Sequence, residues 1–291
     1  MKVVDLKKCR RLAFIGALFV VAAASTRIHA ADVTQPYMLI GGHTAGVLPR
    51  SYFDLDFRIY AAEGWYGTGL ITGVRVGITD RLMIGLGYGG EGIIGRGDHV
   101  RWYPYPGVMA KYRIFDETVA SPGIAIGFDN QGYGGPAGEG EYGYNGYVYK
   151  SPGFFVALSK NYLMLNTVQI GFHGTANYSL EDHKNVTWPN ALGGLDIGIN
   201  DELALIFEYD FALNDVSGRG ERHYALPHRG FLNIGLRWAF TPNFHLEFDF
   251  RDIMENKTRI TRVWSLESGW TEERVPIGWS RELKVVYITK F

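Results

Sequence analysis

The sequence predicts an all-β fold: a single closed antiparallel transmembrane β-barrel of about 12 strands, with short periplasmic turns and long extracellular loops. Three observations lead there. Apolar and polar residues alternate with period two along most of the chain, as in Phe53, Leu55, Phe57, Ile59 and Ala61 against Asp54, Asp56 and Arg58. The apolar series is tall and aromatic near its ends, whereas the other mixes glycine with acids and bases, more charge than a dry interior holds unpaired. Tight polar connections also alternate with long segments, as between the two rims of an outer-membrane barrel.

The elements follow in order. Lys2, Lys7, Lys8, Arg10 and Arg11 precede an apolar stretch from Leu12 to Ala24, so residues 1–30 read as a secretory signal peptide cut after Ala30 or Ala24. Residues 31–50, with Pro36, Gly41, Gly42 and Pro49 and no clear period, read as a periplasmic N-terminal leader. The barrel is expected over 51–291, with strands near 51–61, 69–78, 82–90, 106–114, 123–130, 152–159, 167–178, 190–199, 203–211, 231–240, 244–252 and 281–291. Thr79-Asp80-Arg81, Asn200-Asp201-Glu202 and Thr241-Pro242-Asn243 are the clearest short turns, and the hairpins around them form a weak internal repeat. Asp116-Glu117 and Lys160-Asn161 read as two looser turns. The last strand ends on Phe291, so the expected partners are outer-membrane lipid and, through that terminus, the barrel-assembly machinery.

With the apolar rows outward, Tyr88, Tyr112, Tyr178, Tyr209 and Trp238 fall near strand ends and make an aromatic girdle. The inward rows supply the candidate lumen lining: Asp54, Asp56, Arg58, Arg75, Lys111, Arg113, Asp129, His173, Asp196, Glu208, Asp210, Arg237, His245, Glu247, Asp249, Arg251, Glu282 and Lys284. These charges either line water and bias which solutes pass, or pair across a narrow interior and lock it shut; a narrow, partly filled lumen is the expectation. Inward glycines such as Gly73, Gly77, Gly194 and Gly235 leave room for long charged neighbours.

Composition excludes several classes. The chain has 291 residues, 46% of them hydrophobic, and no apolar run after residue 30 reaches the ~20 residues of a membrane helix. Its single cysteine, Cys9, departs with the signal, leaving neither disulfides nor a thiol nucleophile. Cleavage after Ala30 removes six basic residues and one acidic one, taking the net charge from -1 to -6, so nucleic acid is not an expected partner. No cofactor or metal motif is present, and the glycine cluster from Gly85 to Gly97 precedes no helix, so it is not a phosphate loop. Asp98-His99, Asp182-His183, and Glu221 with His223 sit in predicted extracellular loops, where a hydrolase could activate water. Ser159, His173 and Asn177 share the inward side without forming a motif, and the chain is read as a non-enzyme. The Tyr- and Gly-rich stretch from Gly132 to Tyr147 reads as loop filler, with a sugar-stacking surface as its alternative.

Thr44 to Pro49, Phe53 to Arg58, Leu82 to Gly95, Pro122 to Asp129, Glu208-Tyr209-Asp210 and Leu246 to Phe250 together resemble an uncharacterised bacterial outer-membrane β-barrel family, distantly similar to YjbH-like exopolysaccharide-associated proteins. The resemblance spans most of 44–252 and implies an outer-membrane location with a possible role in polysaccharide export. This chain is shorter than those members and lacks a lipid-attachment cysteine after its signal, and no catalytic residues carry over. The expected function is a narrow channel or an envelope scaffold; the alternative is an outer-membrane hydrolase with a loop-borne carboxylate and histidine site.

Overall fold

The structure is a computed structural model that describes residues 36–61, 68–95, 100–136, 147–164, 168–181, 188–215, 230–265, 269–276 and 278–291. The signal segment lies outside the described residues. Twelve strands close into one antiparallel ring: Tyr52–Ala61, Thr68–Gly77, Leu82–Ile94, Gly107–Phe115, Gly123–Asp129, Gly153–Met164, Val168–Tyr178, Asn190–Gly198, Leu203–Asp210, Phe231–Thr241, Phe244–Arg251 and Ser280–Lys290. The first strand closes on the last, with Phe53 opposite Thr289 and Tyr60 opposite Glu282. Closure removes both sheet edges, so every wall strand has a neighbour on each side.

The outward rows carry exposed apolar side chains around the ring, among them Val74, Leu86, Ile126, Phe154, Phe172, Phe248 and Phe250; Leu86 is 63% exposed. An apolar belt on this scale belongs against acyl chains, and the wall is that of an outer-membrane β-barrel. Tyr88, Tyr112, Tyr178 and Trp238 are exposed at its margins.

The repeated hairpins share their turn chemistry. Thr79 Oγ1 accepts from the N–H groups of Arg81 and Leu82, and Asn200 Oδ1 accepts from those of Glu202 and Leu203. These side chains satisfy backbone donors that the tight turn leaves out of the ladder.

Several elements depart from the sequence expectation. The strand expected to end at 159 runs on to Met164, through the residues read as a turn. There Lys160 reaches the Thr118 and Val119 carbonyls, while Glu117 accepts from both nitrogens of Asn161, so the neighbouring turn satisfies this polar pair in an extended strand. The segment read as a loop after Arg251 contains a ribbon of Thr258–Ser265 and Gly269–Pro276. Arg113, expected in the lumen, sits at the periplasmic rim, where a register shift between Arg113 and Phe115 lets it bond the Asp80 carbonyl and pair with Asp116 at 3.0 Å.

The leader differs most. Expected in the periplasm, it lies inside the barrel from Pro36 to Leu48, and Leu39, Ile40, Ala45 and Leu48 are buried. Six of its residues from Met38 to Leu48 are apolar or carry only a methyl, which gives the segment a reason to leave water. Its backbone polar groups find partners among the inward charges.

Candidate functional site in the lumen

The leader enters from the rim that holds the short turns. Arg50 N donates to Asp80 Oδ1 at 3.0 Å, and Ser51 N donates to the Gly77 carbonyl. Alanine is too large at Gly77, because a Cβ there would stand 2.0 Å from the Pro49 carbonyl oxygen. Further in, the segment folds on itself: Met38 bridges His43, and Leu39 N donates to the Gly42 carbonyl at 2.8 Å. The result is a tight hairpin with Ile40 and Gly41 at its tip.

Wall charges hold this hairpin by its backbone. The Glu208 carboxylate accepts from Gly41 N at 2.9 Å and Gly42 N at 2.7 Å, two successive amides converging on one anion. Arg251 Nη2 and Lys284 Nζ donate to the Ile40 carbonyl at 2.8 and 3.3 Å, and Arg237 Nη2 donates to that of Met38. Lys111, wholly buried, donates to the carbonyls of Tyr37, Thr44 and Gly46 at 2.5, 3.2 and 3.0 Å. Thr175 donates to the His43 carbonyl, and Ala45 N donates to Ser159 Oγ at 2.8 Å.

Side-chain contacts complete the fit. The His43 ring stacks on Phe155 at 3.9 Å, and its Nε2 lies 3.1 Å from Asp129 Oδ2. Arg75 donates to the Tyr37 hydroxyl at 3.1 Å. Leu39 and Ile40 pack with Ile206, while Val47 and Leu48 pack with Met83 and Met109. Burial lowers the His43 imidazole to about 4, with Lys111 and Arg75 adding to the effect against its bond to Asp129.

Most of the remaining inward charges pair with one another, while Asp210 accepts from Asn190 Nδ2 and Ala212 N. Asp56 joins Arg58 at 2.6 Å and Arg75 at 2.7 Å, with Asp54 also on Arg75 at 3.1 Å. Glu247 bridges Arg237 and Lys284, Asp249 joins Lys284, and Glu282 joins Arg251. Each cation thus serves a carboxylate and, in Arg237, Arg251 and Lys284, a leader carbonyl as well. Between a water-lined pore and a paired, filled interior, the described residues form the second.

Cavities adjoin the leader on both sides. One of about 100 Å³ opens toward the long loops, with His43, Gln131, Tyr133, Asn177 and Asp210 among its lining; the other, about 120 Å³, lies near the short turns with Tyr37, Arg237 and His245. Tyr133 and Tyr147 pack with Tyr60 and Tyr103 inside the mouth instead of facing outward, so they offer no surface for stacking sugars. Asp98-His99, Asp182-His183, and Glu221 with His223 lie outside the described residues.

His43, Thr44 and Thr175 were not legible in the sequence as partners in this interior, and Ser159, read as inward, was not linked to the leader. Ser159 Oγ is also 2.8 Å from His173 Nδ1, whose Nε2 lies 2.5 Å from Asp196 Oδ1. The available signal was the leader's own composition, since Met38 to Leu48 contains no acid and no lysine or arginine.

No family model matches the chain, and no curated protein matches it. Among solved structures the chain is similar to the NanC porin, at 9% identity and a TM-score of 0.40, covering 80% of this chain and 98% of that one. It is also similar to LpxR from Salmonella typhimurium, at 10% identity and 0.39, covering 80% and 99%. An outer-membrane channel from Pseudomonas putida F1 aligns at 12% identity and 0.37, covering 90% and 100%.

Proposed function

We propose that the protein is a narrow outer-membrane channel held shut by its own leader. The single observation that carries this reading is the clamp on the hairpin tip, where Glu208 accepts from two amides and Arg251 and Lys284 donate to the opposing carbonyl. A clamp made of hydrogen bonds to charged groups is strong in place, and losing one charge weakens several bonds at once. Displacing the leader would expose a lumen lined by both signs of charge, suited to small polar solutes.

Delivery by a cleaved signal, assembly through Phe291 and a surrounding belt of outer-membrane lipid belong to the same reading. Polysaccharide as the cargo is its finest part, and its support is the resemblance to YjbH-like proteins alone. Planar-bilayer recording tests the channel: the wild type should be nearly silent, and Glu208→Gln should give discrete steps. A Glu208→Gln barrel that stays silent with its leader displaced leaves a scaffold instead of a channel. Loss of surface polysaccharide on deletion of the gene would support the cargo, and unchanged polysaccharide would remove it.

A further inference from the structure

We propose that the lumen also contains a serine acyl-hydrolase site, built from Ser159, His173, Asp196 and Lys111 and occupied at rest by the Thr44–Ala45 peptide of the leader. It goes beyond the channel reading and shares with it only the displacement of the leader.

The geometry comes first. Three consecutive wall strands bring the groups together, with Ser159 opposite His173 in register and Gly171 opposite Asp196. Gly171 makes the approach possible: a Cβ there would stand 2.3 Å from Asp196 Oδ1 and 2.6 Å from His173 Nε2. The carboxylate only accepts, so the hydrogen on the imidazole lies on Nε2, 2.5 Å from Asp196. Nδ1 therefore carries the lone pair and accepts the Ser159 hydroxyl proton across 2.8 Å. Nucleophile, base and orienting acid stand in sequence within hydrogen-bond reach, with the two imidazole nitrogens exchanged relative to the commoner arrangement.

The occupant supplies the second observation. Ala45 N donates to Ser159 Oγ at 2.8 Å, and the oxygen of the same peptide group, on Thr44, lies 3.2 Å from Lys111 Nζ. One peptide group thus has its nitrogen bonded to the proposed nucleophile and its oxygen bonded to the buried Lys111 amine, a donor placed where an acyl oxygen can be received. An N–H bond to Oγ lies in the peptide plane, away from the face through which a nucleophile adds. The leader is therefore retained as an occupant and not cleaved. Ser159 is 1% exposed, and Ala45 and Lys111 are fully buried, so water is excluded while the leader is in place.

With the leader withdrawn, a small carboxylic ester fits the same anchors. Ser159 Oγ bonds to the ester carbon as its proton passes to His173 Nδ1, and the carbonyl π pair moves onto the oxygen facing Lys111. Collapse restores the carbonyl and breaks the ester C–O bond, and the departing alkoxide takes the proton from His173. Water then adds to the acyl-serine with His173 again accepting a proton, and expulsion of the serine alkoxide, which recovers that proton, releases a carboxylic acid. No oxidant, reductant or metal enters the balance.

The test uses the full secreted chain in detergent, carrying Ile40→Cys as a reporter of leader position and, in a second form, Glu208→Gln to loosen the tip. Both are titrated with urea below the level that abolishes heat-modifiable gel migration. Maleimide reaction at position 40 reads the leader, and a fluorophosphonate probe mapped to Ser159 reads the site. As the reporter opens, Ser159 labelling should rise about 100-fold, and His173→Ala should reduce it about 100-fold at unchanged reporter reactivity. The proposal is overturned if the cysteine reacts while Ser159 does not, or if labelling survives His173→Ala; either result leaves the channel reading standing. A leader that stays closed until the barrel itself unfolds overturns both.

Discussion

The wall and the leader face the same difficulty, backbone N–H and C=O groups in a place without bulk water, and they meet it in opposite ways. Each wall strand bonds to two neighbouring strands, so its polar groups are satisfied whatever its side chains are. The leader has one short bridge and a Thr44 hydroxyl contact of its own, and gives most of its other backbone groups to Glu208, Lys111, Arg251, Lys284, Arg237, Thr175 and Ser159. Wall order is therefore a property of backbone closure. Leader order is a property of specific side chains, and single substitutions should separate the two.

The largest separation is expected at Lys111. Lys111→Met takes the donor from the buried carbonyls of Thr44 and Gly46, at about 1–3 kcal/mol each, and leaves that of Tyr37 with Thr44 N alone. Hydrogen exchange over 36–50 should accelerate by more than about 100-fold, while the wall strands keep their protection. Equal loss of protection in both would show that the leader is part of the wall's cooperative unit.

Leu86→Arg should do the reverse. Leu86 faces lipid, and an arginine there costs about 2–4 kcal/mol near the bilayer midplane. Urea unfolding in bilayers should shift by that amount with leader exchange below the transition unchanged. Glu208→Gln comes next: it keeps the size of the group but removes the charge received by Gly41 and Gly42. A loss of about 1.5–3 kcal/mol should appear as roughly tenfold or greater exchange along the leader, largest at the hairpin tip.

The smallest effect is on pH. His43 binds its proton less readily in the folded leader than in a free one, so its contribution is fully present above about 6.5 and is lost as pH falls through that value toward about 4. Leader exchange should rise over that window, and His43→Gln should flatten the profile. An unchanged profile in the substituted protein would assign the pH response to another group.

Much of the wall was legible because its cause is local. Each residue of Tyr52–Ala61 or Phe244–Arg251 partitions between lipid and lumen by itself, and backbone geometry alternates the two directions, so period two reports the outcome residue by residue. The inward charges were readable as a row for the same reason. Their partners were not, because Glu208 meets Gly42 across 166 positions and Lys284 meets Ile40 across 244. Lys160 and Asn161 carried turn chemistry that a neighbouring turn satisfied within an extended strand.

By itself the sequence determined a twelve-strand ring with oily outer rows and ionic inner ones, since those preferences act on one side chain at a time. Only the tertiary structure decided that the leader fills the lumen, that Arg113 turns to the rim, and that Ser159, His173 and Asp196 meet. Each of these depends on which distant group supplies a missing hydrogen bond, and that is known only once the ring has closed.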